Sequence, residues 1–220
     1  MMNKLSVIIL AGGMSSRMGA DKAFLSLGMN SFLGLIVSQA LALSNDIVIA
    51  TGMKNVSDYD KLLQNEGVRV FNDDTYVRSP LGGMLTGLNH VNGEYALVIA
   101  CDLPLVKSSL LAHLFSRASG YDAAVPLWNI NDKMSTEPLC AVYRVESTKR
   151  MIEGMLEEKT HPCKKMILRL LNVNFVPISE LRFYDNELDS FLNINTKMEY
   201  ADLLAKTEDF EGNRVLLAAP

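Results

Sequence analysis

The run Leu5-Ser6-Val7-Ile8-Ile9-Leu10, followed at once by Ala11-Gly12-Gly13, limits this chain more than any other stretch. A nearly continuous apolar segment of this length reads as a strand buried on both faces, which in turn calls for helices covering both sides of a sheet. A buried strand that opens into Gly-Gly presents bare backbone at the carboxyl edge of that sheet, where N–H groups can approach an anion without a Cβ in the way. Arg17 and Lys22 add two cations and Ser15 and Ser16 two small hydroxyls within the same loop, and Gly19 adds a third glycine. The combination reads as a polyphosphate cradle. The plainer alternative is a glycine-rich turn carrying two solvated cations.

The rest of the chain repeats the pattern. Apolar runs at Asp46–Ala50, Val68–Phe71 and Tyr95–Ala100 alternate with helical stretches over Ser31–Leu43, Ser57–Glu66 (with Ser57 as N-cap) and Ser79 to about His90. Strands alternating with helices at this spacing predict right-handed βαβ units and a mostly parallel, Rossmann-like sheet, an α/β fold. From Asp122 the pattern changes. Asp122–Leu127 and Pro138–Tyr143 read as strands around the polar stretch Asn129–Glu137, a small antiparallel excursion. Helices over Glu146–Glu158 and Pro162–Leu171, short strands around Phe175 and Phe191, and a last helix over Lys197–Lys206 complete the expectation. With 220 residues and no low-complexity linker, residues 1–206 read as one domain and residues 207–220 as a tail.

A formal net charge of −4 supplies no basic field for nucleic acid or an anionic membrane, so any phosphate must be held by a local site. No segment approaches the roughly 18 apolar residues of a membrane span. The N-terminal run imitates a signal peptide only faintly, being short and followed by Arg17 and Lys22, so export is not expected. Cys101, Cys140 and Cys163 are few, odd in number and far apart, which favours reduced thiols and a cytoplasmic location over disulfides or zinc.

In an open α/β sheet ligands collect at the carboxyl ends of the strands. The glycine-rich loop, Asp73, Ser79–Gly83 and Asp102 all fall there. Asp102 ends a buried strand and Pro104 stiffens the turn behind it. A fixed carboxylate facing a triphosphate suits Mg²⁺, which favours one or two carboxylates together with phosphate oxygens and water. The same Asp could instead cap the helix that begins near Ser108. Asp73 and Asp74 are open to a turn-capping role, and Pro80 is equally at home as the first residue of a helix.

The string Leu10-Ala11-Gly12-Gly13-x-Ser-x-Arg17-Met18-Gly19-x-Asp21-Lys22 resembles the "LAGGxSxRMGxDK" loop of α/β nucleotidyltransferases. Together with Cys101-Asp102-Leu103-Pro104, which resembles "CDxP", it looks most like the MobA-type molybdenum cofactor guanylyltransferases. Ser79-Pro80-Leu81-Gly82-Gly83 resembles that family's "GPLxG" loop with Ser79 in place of its Gly. Glu137–Tyr143 resembles "xPLxAxY", and Asn193-Ile194-Asn195-Thr196 resembles "NxNT" with Lys197 replacing the following Pro. A family Asn at the end of the second strand is replaced by Ala50, with Thr51 at best a substitute.

The resemblance implies transfer of GMP from GTP to the terminal phosphate of molybdopterin or molybdenum cofactor, with Mg²⁺ as cofactor and molybdoenzyme maturation proteins as further partners. It implies catalytic roles for Arg17, Lys22 and Asp102, and metal binding by Asp102. Nucleotide binding falls to Leu10, Ala11, Gly12, Gly13, Lys22, Asp73, Pro80, Leu81, Gly83 and Asp102, and acceptor binding to Pro138, Asn193 and Asn195. Asn193 and Asn195, at alternate positions of an expected strand, could serve that acceptor or bridge backbone. A cytidylyltransferase on the same acceptor, a sugar-1-phosphate nucleotidyltransferase and a cofactor-delivery protein share parts of the pattern. The expected assembly is a monomer or weak homo-oligomer.

Overall fold

The computed structural model describes residues 4–13, 18–62, 67–73 and 79–206. In chain order it contains β1 (Leu5–Leu10), a 3₁₀ turn (Lys22–Phe24), β2 (Ser26–Leu27), β3 (Asn30–Ser31), α1 (Phe32–Leu41), β4 (Ile47–Ala50), α2 (Val56–Leu62), β5 (Val68–Phe71), α3 (Pro80–His90), β6 (Tyr95–Ala100) and α4 (Ser108–Ser116). There follow β7 (Ala123–Ile130), β8 (Lys133–Thr136), β9 (Cys140–Arg144), α5 (Val145–Glu157), α6 (Cys163–Arg169), β10 (Val173–Pro177), α7 (Ile178–Leu181) and a second 3₁₀ turn (Asp189–Phe191). Residues 197–206 form the last described helix, α8.

The main sheet runs β10-β7-β9-β6-β1-β4-β5, with β8 added to β7. β1 is parallel to β4 and β6, β4 to β5, and β10 to β7, while β9 is antiparallel to both its neighbours. The all-apolar β1 is buried along its whole length, as its composition requires. Alternation sends Val7 and Ile9 to one face, beneath α1 and α4, and Ile8 and Leu10 to the other, beneath α3, α5 and α6. The chain leaves β1 through α1 on one face and returns through α3 on the other, so the strand order reverses between β1 and β6. A crevice at the carboxyl edge beside β1 is the consequence of that reversal.

Local signals explain the starts of two helices. Ser31 caps α1 by accepting from Gly34 N, and Ser79 caps α3 by accepting from Gly82 N, with Pro80 opening that helix. In α5 the buried positions Val145, Thr148, Ile152 and Met155 follow the helical repeat.

Several expectations are corrected. α2 starts at Val56 rather than beyond Ser57, because the Asn55 side chain accepts from Ser57 N. The polar stretch Asn129–Glu137 is itself part of the expected antiparallel excursion. It carries the end of β7 and all of β8, joined through Asn131 and Asp132, both in the left-handed region (φ 49° and 61°) as a tight hairpin turn demands. Phe191 lies in a 3₁₀ turn instead of a strand, since the Asp185 carboxylate accepts from Ser190 N and Leu188 O from Phe191 N. No strand carries Asn193 and Asn195 either, because residues 192–195 are irregular. The tail at 207–220 and Arg17 lie outside the described residues.

Candidate active site

The last rung of the sheet forms a floor. Ala100 on β6, Leu10 on β1 and Ala50 on β4 stand side by side in register, and all three line a cleft of about 670 Å³ at the carboxyl edge. Two alanines flanking one leucine leave room above them for a flat ring. Gly12, Gly13, Gly52, Met53, Lys54, Asp73, Ser79, Pro80, Gly83 and Leu139 complete the lining. The volume falls within the range of small-molecule sites, about 300–1,000 Å³. A Cβ at Gly83 would sit 3.2 Å from Leu10 Cδ2 and 3.7 Å from both Ala50 Cβ and Asp73 Oδ1, so any side chain there would enter the cleft.

Three strand-end loops are bound to one another. Asp73 Oδ1 accepts from Gly52 N (3.1 Å), and Gly52 O accepts from Asp73 N (2.7 Å). Gly52, at φ +69°, approaches Gly12 so closely that a Cβ on Gly12 would lie 2.9 Å from Gly52 N. Both positions therefore need glycine, the one for its conformation and the other for space.

Next to this cleft stands an ion pair. Lys22 Nζ is 3.2 Å from Asp102 Oδ2 and donates to Asn195 Oδ1 at 2.6 Å, and the two charged side chains are 12 and 21 % exposed. Asp102 is no helix cap, since α4 begins at Ser108 and its first amides are met by Ser190 Oγ and Gln39 Oε1. Its other oxygen, Oδ1, is buried without a hydrogen-bond partner among the described residues. A buried acceptor in that condition costs about 1–3 kcal/mol, more when charged. A divalent cation would relieve it, and the donor set suits Mg²⁺ shared with substrate phosphates. Among the described residues no cluster of three or more His, Cys, Asp or Glu could hold a metal by protein ligands alone. Cys101, beside Asp102, is inert, its thiol pushed up to about 12 by burial and by the Asp102 charge.

The segment 193–199 supports the pair from below. Ile194 N donates to Asp102 O (3.0 Å), while Glu199 Oε2 accepts from Asn195 N (2.7 Å) and Thr196 N (2.8 Å), and Thr196 Oγ1 accepts from Glu199 N. This is a capping box at the start of α8. The Asn195 amide first, then that of Thr196, hold the Glu199 carboxyl below its usual range.

The sequence-predicted residues therefore divide. Leu10, Gly12, Gly13, Asp73, Pro80 and Gly83 meet around the cleft, with Lys22 and Asp102 paired beside it. Leu81 is fully buried under α3 and does not face the cleft, and Ala11 contributes only backbone there. Thr51 is no substitute for an amide, since it is fully buried with its hydroxyl on Phe71 O and Asn72 Oδ1. Leu139 rather than Pro138 lines the cleft, while Pro138 O accepts from the Tyr143 hydroxyl. Asn193 is exposed with its amide on Phe191 O, and Asn195 is committed to Lys22. Sequence reasoning missed Lys54, for which only a cation just past Gly52 could have served as a clue. It also missed Glu199, which the Thr-x-x-Glu spacing at 196–199 does signal.

The family model for the "MobA-like NTP transferase domain" matches residues 7–172. A protein of Clostridium perfringens named "Probable molybdenum cofactor guanylyltransferase" is 32% identical over 212 residues, covering 94% of this chain and 100% of the relative. One of the same name from Methanosarcina acetivorans is 34% identical over 200 residues, covering 87% and 86%. The crystal structure of "Molybdopterin-guanine dinucleotide biosynthesis protein A" from Archaeoglobus fulgidus superposes with a TM-score of 0.77 at 25% identity, covering 93% of this chain and 99% of that one. A 2-C-methyl-D-erythritol 4-phosphate cytidylyltransferase from Thermus thermophilus, at 15% identity and TM-score 0.70, shares the fold. No described helix is long and apolar enough to cross a membrane. The family match, the identity along nearly the whole chain and the glycine-lined cleft beside an Asp–Lys pair agree: this chain belongs to the MobA-like NTP transferase family.

Proposed function

We propose that this chain transfers GMP from GTP to the terminal phosphate of molybdopterin or molybdenum cofactor, giving the guanine dinucleotide form and pyrophosphate, with residues 1–206 acting as one catalytic domain. The observation that carries the reading is the Lys22–Asp102 pair beside a cleft whose floor is Ala100, Leu10 and Ala50. In this reading the base lies on that floor against Pro80 and Gly83, and Asp73 serves as an acceptor for N–H and O–H donors of the nucleoside. The amides of Gly12 and Gly13 face the phosphates.

An oxygen of the acceptor phosphate attacks the α-phosphorus. A new P–O bond forms as the bond to the β-phosphate oxygen breaks, and pyrophosphate departs with the electron pair. A phosphate monoester is already anionic near neutrality, so positioning and charge neutralisation supply most of the catalysis. Lys22, held by Asn195 and Asp102, donates to the α-phosphate oxygens, and Arg17 neutralises the leaving pyrophosphate. Asp102 would hold Mg²⁺, which would supply Lewis-acid polarisation of the phosphates. The acceptor approaches between the 137–139 turn and the 193–195 segment, which brings Pro138, Asn193 and Asn195 to its side.

Pyrophosphate release from purified protein with molybdopterin and Mg²⁺, compared across GTP, CTP, ATP and UTP, tests this. Release with GTP alone is expected. A preference for CTP would overturn the base assignment, and no release with any nucleotide would overturn the transfer itself.

A further inference from the structure

Lys54 stands on the cleft wall with no part in the steps above. It follows the turn after β4, where Gly52 and Gly12 are in backbone contact, and its side chain is 24% exposed. Its Nζ donates to Ala11 O at 2.6 Å and lies 2.8 Å from Asp21 Oδ2. Ala11 is where the glycine-rich loop leaves β1, and Asp21 is where that loop delivers Lys22. One ammonium therefore holds both ends of the loop.

Each bond has a consequence for an anion in the cleft. The C=O of Ala11 and the N–H of Gly12 belong to one planar trans peptide and point in opposite directions. Fixing the carbonyl on Lys54 fixes the Gly12 N–H on the side away from it. Asp21 is a carboxylate in a loop that must receive phosphates. It already accepts from Ala23 N and from the hydroxyl of the buried Tyr59 (2.7 Å), so it is held in place, where its charge would repel the ligand. The Lys54 charge cancels it.

We propose that Lys54 is a positioning residue that sets the glycine-rich loop for polyphosphate before the nucleotide arrives, by fastening Ala11 and by neutralising Asp21. The inference deepens the guanylyltransferase reading and rests on it for the identity of the ligand. It assigns Lys54 to nucleotide affinity rather than to the chemical step.

The test compares wild type, Lys54→Met, Lys54→Arg and Lys54→Met/Asp21→Asn by calorimetric titration with GTP and by steady-state transfer to molybdopterin. Lys54→Met is expected to weaken GTP binding about tenfold or more, the scale of a lost charge-assisted hydrogen bond. The turnover at saturating GTP and the KM for molybdopterin should stay within about threefold, the signature of lost ground-state binding. Lys54→Arg should restore most of the affinity, and Asp21→Asn in the Lys54→Met background should recover part of it. An unchanged GTP affinity, a loss confined to turnover, or no recovery by Asp21→Asn would overturn the proposal. Should Lys54→Met fail to fold, Lys54→Gln carries the same comparison. If wild type binds GTP without transferring it, the guanylyltransferase reading fails, while the affinities still decide the role of Lys54.

Discussion

Replacing Asp102 by alanine separates stability from function in a way the geometry makes quantitative. The native carboxylate leaves Oδ1 buried and unpartnered among the described residues, which costs about 1–3 kcal/mol before any ligand binds. Against that, the substitution removes the ion pair with Lys22, which is 3.2 Å long and partly exposed at both ends, worth about 1 kcal/mol. Lys22 is not stranded, because Asn195 Oδ1 still accepts from it at 2.6 Å. The net change is between nothing and a gain of about 2 kcal/mol, and at roughly 2–4 °C per kcal/mol for a chain of this size the melting temperature should hold or rise by up to about 8 °C. Transfer should fall at least about a hundredfold, the scale for losing one centre of charge stabilisation in a phosphoryl site. Thermal melts in chelator without nucleotide, paired with GTP-dependent pyrophosphate release, read both quantities. Asp102→Asn, which keeps the shape but not the charge, should lose transfer without gaining stability. A fall in melting temperature beyond about 6 °C for Asp102→Ala would show that the carboxylate is structural, and retained transfer would show that it is not part of the site.

Other outcomes follow from the same geometry. Gly83→Val should raise the GTP dissociation constant at least about tenfold by titration calorimetry, because its side chain enters the cleft between Leu10, Ala50 and Asp73. Gly12→Ala should instead destabilise the fold by about 1–3 kcal/mol in denaturant, since its Cβ would meet the Gly52 backbone, which cannot turn aside. At Asp185 burial pushes the carboxyl up, but hydrogen bonds from Lys107 and Ser190 outweigh it and hold the value below the ordinary 3.8. A depressed carboxylate contributes stability that is complete above its unfolded pKa and lost as pH falls through the folded one, so acid unfolding should steepen below about 3.8 and Lys107→Met should flatten that limb. Glu199→Gln should weaken the capping box and lower turnover more than GTP affinity, through Asn195 and Lys22, which steady-state kinetics will separate.

The alternating part of the fold was legible because β1, β4 and β6 are buried on both faces, and burial on both faces leaves a continuous apolar run in the sequence. The 133–136 strand was not, since it is an exposed edge of polar residues whose pairing is set by the left-handed Asn131-Asp132 turn rather than by hydrophobicity. In the site, glycines and strand-end carboxylates announced themselves by position. The side chain of Leu81 is in the core beneath the helix turn that the motif names, since a motif does not say which side chain of a turn faces the cleft. Lys54 escaped notice because its role depends on where Ala11 O and Asp21 meet in space, and spacing along the chain carries no trace of that meeting.

The reversed strand has a consequence for how such a chain can diversify. β9 alone among the central strands begins at the carboxyl edge, where Leu139 O accepts from Ala100 N and Leu139 lines the cleft. The loops after β1, β4, β5 and β6 are all drawn from residues up to Lys107, whereas the 137–139 turn belongs covalently to the β7–β8 hairpin. In the proposed reading most of the nucleotide's contacts thus come from the earlier length of gene, with Leu139 and Asn195 the later length's share, while the acceptor's face comes from the later length alone. On that reading, recombination or insertion within the later length that spares Leu139 and Asn195 would rework the acceptor while the earlier length is inherited intact.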